Sequence, residues 1–319
     1  MLSLQAGEVF AGRYRVVRLV KAGGMGAVYE VRHVANDKRW ALKVMHSQLA
    51  RDPAARKLFE REAKIDGLIE SAFVVSVIDA GIDEPTNTPY LVMEFLVGED
   101  LGERVERAGP CTPQKVVGYL GQVARALDKA HAKGIVHRDL KPENLFFCES
   151  DDDGDRVKIL DFGIAKLLEA EAQLSTQGGG TPLFMAPEQT RRGREIGPWT
   201  DIWALGLIAY DLLVGQSYWH AETVGEFYGE LLSTEPRELP TVRAAQSGIV
   251  LPTTFDAWFF RCVDNDPRLR FASAGEAIAA LPSALSLRVP LRSPRVDEQL
   301  VVKNNEATAQ NGGGSSGAD

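Results

Sequence analysis

An aspartate, a lysine and an asparagine stand at fixed offsets in the loop Ile135–Leu145, I-V-H-R-D-L-K-P-E-N-L, and Asp161-Phe162-Gly163 follows farther along. Asp139 offers a base and Lys141 a cation. Asn144 and Asp161 offer hard oxygen donors of the kind magnesium takes. Moving a phosphoryl group calls for that set, because the reaction asks a protein for positioning and charge neutralisation more than for covalent work. The plain alternative for H-R-D is a structural turn at a helix end. K-P-E-N beside it and D-F-G after it leave that reading little room.

Two further needs of the same chemistry have candidates upstream. Phosphate oxygens need donors at close range, and Gly23-Gly24-Met25-Gly26 lets backbone amides approach without Cβ obstruction. A glycine-rich hairpin turn is the plain alternative for that stretch. A fixed cation is also needed, and Lys43 sits inside the apolar run W-A-L-K-V, where a lysine is costly unless paired. Glu62, on the next predicted helix, is its expected partner; a strand lysine facing solvent is the alternative.

The surrounding elements read as a β-rich first part and a helical second part. Strands are predicted at Tyr14–Lys21, Ala27–His33, Trp40–Met45, Phe73–Ala80 and Tyr90–Phe95, with a turn through E-P-T-N-T-P. Asp52-Pro53 opens a helix that carries Leu58, Phe59, Glu62, Ile65 and Ile69 near one face. After Gly98, Thr112-Pro113 starts a long helix to Lys133 with Gly134 as its cap, its buried stripe marked by Val116, Val117, Leu120, Val123, Ala124 and Leu127. Leu145–Phe147 and Val157–Ile159 read as a small hairpin, and its acidic tip lacks the spacing of a calcium loop. Thr200 is expected to cap a helix over Asp201–Val214 that ends at Gly215, and helices continue to about Leu285.

Composition narrows the class. The chain has 319 residues, 45% of them hydrophobic, which suits a globular protein with a real core. A net charge of −8 argues against a nucleic-acid-coating role. No signal peptide and no membrane span are expected, since the richest apolar run, Ile202–Val214, is short and carries Asp211. The three cysteines, Cys111, Cys148 and Cys262, lack metal-ligand spacing and read as free thiols in a reducing cytoplasm.

These motifs, in this order, resemble a eukaryotic-type (Hanks-type) serine/threonine protein kinase, and G-G-M-G-A-V-Y most resembles bacterial members. The resemblance covers roughly residues 10–282. It implies an α+β, bilobal fold: a kinase domain over 14–282, with a small β-rich N-lobe holding one main helix (14–95) and a larger α-helical C-lobe (98–282). Residues 1–13 would be an N-terminal extension and 283–319 a disordered C-terminal tail. ATP, with Mg2+ or Mn2+, would bind between the lobes. By this resemblance Asp139, Lys141 and Lys43 serve catalysis, Lys43 and Glu62 form an ion pair, and Asn144 and Asp161 hold the metal. Adenine would meet the backbone at Glu94 and Leu96, with Met93 at the back of the pocket and Val28, Ala41 and Leu145 sandwiching the ring.

The family likeness extends to residues away from the chemistry. Gly180-Thr181-Pro182 and Ala186-Pro187-Glu188 resemble the end of an activation segment. Asp201 resembles the buried helix aspartate that ties the catalytic loop, and Arg270 the arginine that pairs with Glu188. Arg138 would bind a phosphate on the activation loop, with Ser175 and Thr176 as acceptors of autophosphorylation and Thr181 as a contact to the catalytic loop. By the same resemblance, Lys141 implies Ser/Thr rather than Tyr acceptors. The implied partners are proteins presenting Ser or Thr hydroxyls, in cytoplasmic bacterial signalling.

Two residues break the pattern. Lys21 stands where the first glycine of G-x-G-x-x-G is expected, which places an extra cation near the cleft. Asp66 occupies a position that is usually apolar and packs on the Phe of D-F-G, where a carboxylate is penalised. Either Ile65 fills that gap, or the active arrangement needs help from a partner, from homodimerisation or from phosphorylation. A weakly active or pseudokinase scaffold of the same fold therefore stands as the alternative. A small-molecule phosphotransferase is a third reading, disfavoured by the A-P-E segment.

Overall fold

Short β-rich runs in the first part of the chain, separated by turns, pair as an antiparallel sheet. In the computed structural model this sheet contains β1 (Val9–Phe10), β2 (Tyr14–Gly23), β3 (Gly26–His33), β4 (Arg39–Met45), β5 (Val77–Asp83) and β6 (Thr88–Glu94), in the order β1-β2-β3-β4-β6-β5. The structure describes residues 3–23, 26–45, 69–149, 154–162, 182–190 and 193–288. The expected helix after Asp52 lies outside them, as do Gly24, Glu62, Asp66, Ser175, Thr176, Thr181 and all but the first residues of the expected tail.

The segment before Tyr14 joins the sheet. Phe10 and Leu4 are buried, β1 pairs with β2, and the Leu4 amide donates to the Tyr29 hydroxyl at 3.2 Å. The strand expected over Phe73–Ala80 is displaced: β5 runs Val77–Asp83, while Val74 makes an isolated parallel bridge to Ile159. The reason is that this stretch serves two partners. Its first part bonds to Ile159, with Val75 N–H donating to the Ile159 carbonyl at 3.0 Å, and only its second part joins β6.

The second part of the chain is helical around a small sheet of β7 (Gly98–Asp100), β8 (Leu145–Cys148) and β9 (Arg156–Ile159). Among the described residues its helices are α1 (Leu101–Ala108), α2 (Pro113–His131), α3 (Pro198–Val214), α4 (Val224–Leu232), α5 (Pro240–Gln246), α6 (Thr254–Cys262) and α7 (Ala274–Ala284). In α2, Thr112 caps the first turn and Pro113 pre-sets its φ. That helix stops at His131, two residues before the expected Lys133, and Gly134 turns the chain with φ +73°. Sequence reasoning passed over α1, whose only buried positions are Leu101 and Val105, too few for a clear stripe.

Helix α3 is buried on nearly every side, which makes it the axis of the larger lobe. It starts at Pro198 rather than after Thr200, and Gly197 offers no capping side chain. Thr200 therefore lies within the first turn, and its hydroxyl donates to Glu188 Oε1 at 2.8 Å instead of capping the helix.

Asp211 is out of place in α3. Burial, then the Glu143 and Glu106 charges, push its carboxyl up to about 6 from an ordinary 3.8. It also sits in the last turn, where the helix dipole disfavours an anion. The folded-state pKa exceeds the unfolded one, so this group's contribution is most favourable below pH 3.8 and is lost as pH rises through 6. Asp211→Asn is expected to raise stability by on the order of 1–3 kcal/mol at pH 8 and to give no gain near pH 4, read by thermal melts at both pH values.

Candidate active site

Strand β4 fixes which of its residues face the second lobe. Leu42 and Val44 pack with Tyr29 and Val31, whereas Ala41 and Met45 pack with Leu91 and Met93 on the other face. Lys43 alternates with the second set. The register places Val28 and Leu91 opposite Lys43, and Met93 opposite Ala41. Val28 and Leu96 are packed against that same apolar cluster. Leu145 is not part of it: paired across strands with Ile159, it is fully buried in the core of the larger lobe.

Gly23 and Gly26 face each other as the last pair of the β2–β3 hairpin. Gly26 is required there for packing alone, since a Cβ would collide with the Val44 carbonyl oxygen and its φ is +154°. Past the hairpin, β6 ends the ladder at Glu94, so the Phe95 and Leu96 peptide groups lie beyond it. The Glu94 N–H donates to the Ser76 carbonyl at 3.0 Å, and its carboxylate receives Ser76 N–H at 2.7 Å and Lys158 Nζ at 2.6 Å. The Glu94 side chain is thus a tie between strands, not a cleft group.

Lys43 crosses to the larger lobe. Its Nζ lies 2.6 Å from Asp161 Oδ2, with the lysine side chain 13% exposed and the aspartate 35%. The sequence had suggested Glu62 as partner; that residue is outside the described part, and the pair seen is with Asp161. Asp161 adopts φ +49° and Arg138 φ +67°, both left-handed and costly for residues with a Cβ. Such backbone persists only where neighbours hold it.

The neighbours are visible. Asp201 Oδ1 accepts the Arg138 N–H at 2.9 Å, and Asp201 Oδ2 accepts the His137 N–H at 2.9 Å. The Gln189 amide donates to the Arg138 carbonyl at 2.8 Å, so that residue is clamped from both sides. His131 Nε2 lies 2.8 Å from Asp201 Oδ2, buried with it. Leu160 N–H donates to the Asn144 carbonyl at 2.9 Å, and the His137 ring meets the Leu160 carbonyl at 3.0 Å. Those bonds set Asn144 beside Asp161.

Around Asp139 the charges are arranged as follows. Asn144 Nδ2 donates to the Asp139 carbonyl at 2.7 Å and to its Oδ2 at 3.2 Å, and Lys141 Nζ is 3.4 Å from the same oxygen. With its nitrogen turned to Asp139, the Asn144 amide directs its oxygen the other way. Glu188 and Arg270 lie in the larger lobe and form a two-pronged pair: Nη1 to Oε1 at 2.8 Å and Nη2 to Oε2 at 2.9 Å, with the arginine fully buried. His131 and Gln189 were missed by sequence reasoning, because neither lies in a motif that marks it.

A family model described as the protein kinase domain matches residues 14–278, most of the chain. The chain belongs to the protein kinase domain family. It is 39% identical over 295 residues to the serine/threonine-protein kinase Pkn1 of Myxococcus xanthus, covering 90% of this chain and 40% of that protein. It is 36% identical over 284 residues to PknH of Mycobacterium bovis, covering 88% of this chain and 45% of that protein. The kinase chain therefore spans less than half the length of these curated relatives. The crystal structure of the Mycobacterium tuberculosis PknI kinase domain superposes with a TM-score of 0.69 at 26% identity, covering 89% of this chain and all of that one. The kinase fold and the bacterial serine/threonine-kinase relatives agree with the reading of the motifs. Among the described residues no helix of this kinase chain is long and apolar enough to cross a membrane.

Proposed function

We propose that this kinase domain transfers the γ-phosphoryl group of ATP to serine and threonine hydroxyls of proteins, acting in the cytoplasm. The observation that carries the reading is that two pairs, Lys43 with Asp161 at 2.6 Å and Asn144 with Asp139 at 2.7 and 3.2 Å, are joined by the Leu160 N–H donating to the Asn144 carbonyl at 2.9 Å. A pseudokinase reading would lead one to expect the loss of Lys43, Asp139 or Asp161; all are present.

The residues fit a divalent ion. The Asp161 carboxylate and Asn144 amide oxygen are hard donors that suit magnesium or manganese. Phosphate oxygens and water would complete the shell of such an ion, since magnesium keeps several waters and binds through one or two protein groups. When bound, such an ion neutralises charge on the phosphate oxygens. The chain's own residues do the rest. Lys43 supplies a fixed cation at the phosphates; Val28, Ala41, Met93 and Leu96 supply the apolar surface for the base. Asp139 accepts the proton of the acceptor hydroxyl, its orientation held by Asn144 and Lys141. Lys141 lies beside the transferring group and offsets its charge.

Ser175 and Thr176 are the proposed sites of autophosphorylation, with Arg138 as the cation that receives the phosphate. The test of the function is incubation with γ-labelled ATP, magnesium and a generic basic protein, followed by phosphoamino-acid analysis. Label on serine or threonine is expected. Label on tyrosine alone, or only on a small molecule, would overturn the proposal.

A further inference from the structure

The registers of β2, β3 and β4 place Lys21 opposite Val28 and Val28 opposite Lys43. Cross-strand partners point to the same face of a sheet. Lys21, Val28 and Lys43 therefore form one row on the face that looks toward the larger lobe, with a cation at each end. The inner cation is paired with Asp161. The outer one reaches α1: Lys21 Nζ lies 2.9 Å from Asp100 Oδ2 and 3.0 Å from Glu103 Oε1.

Asp100 is well placed to hold it. It is buried, and its Oδ1 caps α1 by accepting the Glu103 N–H at 2.9 Å, so Oδ2 is left oriented toward the lysine. Partial burial pulls the Lys21 ammonium down, but the hydrogen bonds to Asp100 and Glu103 outweigh it and its pKa stands above the ordinary 10.5. The sheet and the larger lobe are already joined through Phe95–Val97. The Lys21 pair is a second tie: Lys21 comes from the glycine hairpin, far from that connection in sequence, and meets Asp100 and Glu103 just beyond it.

We propose that Lys21, Asp100 and Glu103 form a clasp across the mouth of the cleft that holds the glycine hairpin against α1 and slows the departure of nucleotide. This rests on the reading that ATP occupies the cleft. It also gives the departure at Lys21 a role: the position that a glycine would leave bare carries a tether. Lys21 is a positioning residue and touches no reacting atom. Because its side chain is 59% exposed, water screens the pair, and the clasp can open at each turnover.

The test is stopped-flow dissociation of a fluorescent N-methylanthraniloyl-ATP, with magnesium, from the full chain at low salt. Lys21→Met is expected to release the probe about three- to tenfold faster, as loss of two partly exposed ion pairs implies. Lys21→Arg should stay near wild type. Lys21→Glu should be as fast as Lys21→Met, and adding Glu103→Lys to it should slow release again, which a merely structural role would not do. Near 1 M salt, where the screening length is about 3 Å, wild type and Lys21→Met should converge. Equal rates for wild type and Lys21→Met, or no rescue in the charge-reversed pair, overturn the clasp alone. A wild type that never binds the probe overturns it together with the proposed function.

Discussion

Asp139→Asn is expected to lower kcat for phosphoryl transfer by about 10²- to 10⁴-fold, the range for removal of a general base. The substitution is isosteric. An asparagine there can still accept from Asn144 Nδ2, now at 3.2 Å from Oδ2, but cannot take a proton from a hydroxyl. The lost attraction to Lys141 is small, since that pair spans 3.4 Å and the lysine is 35% exposed. The melting temperature is therefore expected to stay within about 2 °C and the KM for ATP to change little. The check is steady-state kinetics beside a thermal melt. Activity within tenfold of wild type in a properly folded variant would remove Asp139 from the role of base.

Glu188→Ala is the second large effect, and it falls on stability. Arg270 has its charge in the protein interior, and four acceptor atoms satisfy it: both Glu188 oxygens, the Trp199 carbonyl and the Asp264 carbonyl. Removing the carboxylate leaves the guanidinium buried and uncompensated, at a cost of about 3–5 kcal/mol. Thr200 also loses its acceptor. For a domain of this size that corresponds to a fall in Tm of roughly 6–20 °C. Replacing both partners with apolar residues, Glu188→Leu with Arg270→Met, should be less damaging than Glu188→Ala alone, because no charge is stranded. A single variant that melts with wild type would show that the pair is not what fixes this corner of the lobe.

Much of this arrangement is legible in the sequence, for reasons that differ by residue. Lys43 stands out because a lysine between Leu42 and Val44 violates the apolar pattern of its strand. The Asp139, Lys141 and Asn144 set is local, so its spacing survives folding unchanged. The Glu188–Arg270 pair spans 82 residues, and only the family likeness suggested it. His131 and Gln189 had no such signal: each acts by meeting a backbone or side-chain atom far along the chain. The Thr200 cap failed because a threonine near a helix start has more than one use, and a buried carboxylate was the better acceptor. The β5 boundary failed because Val74 and Val75 are apolar enough for a strand yet are claimed by Ile159. Leu145 was placed by likeness beside the adenine site; its strand pairing commits it to the core instead.

In the proposed mechanism Asp161, with Asn144, would hold a divalent ion that brings nucleotide phosphate to Lys43 and Asp139. Calorimetric titration of ATP into the wild-type chain, with magnesium and again with a chelator, tests it most directly when repeated on Asp161→Asn. That substitution keeps the shape, and asparagine tolerates the φ of +49° at this position. Markedly tighter binding with magnesium is expected for wild type, with loss of that metal-dependent increment in the variant. Binding that ignores magnesium in wild type, or a variant that keeps the full increment, would contradict it.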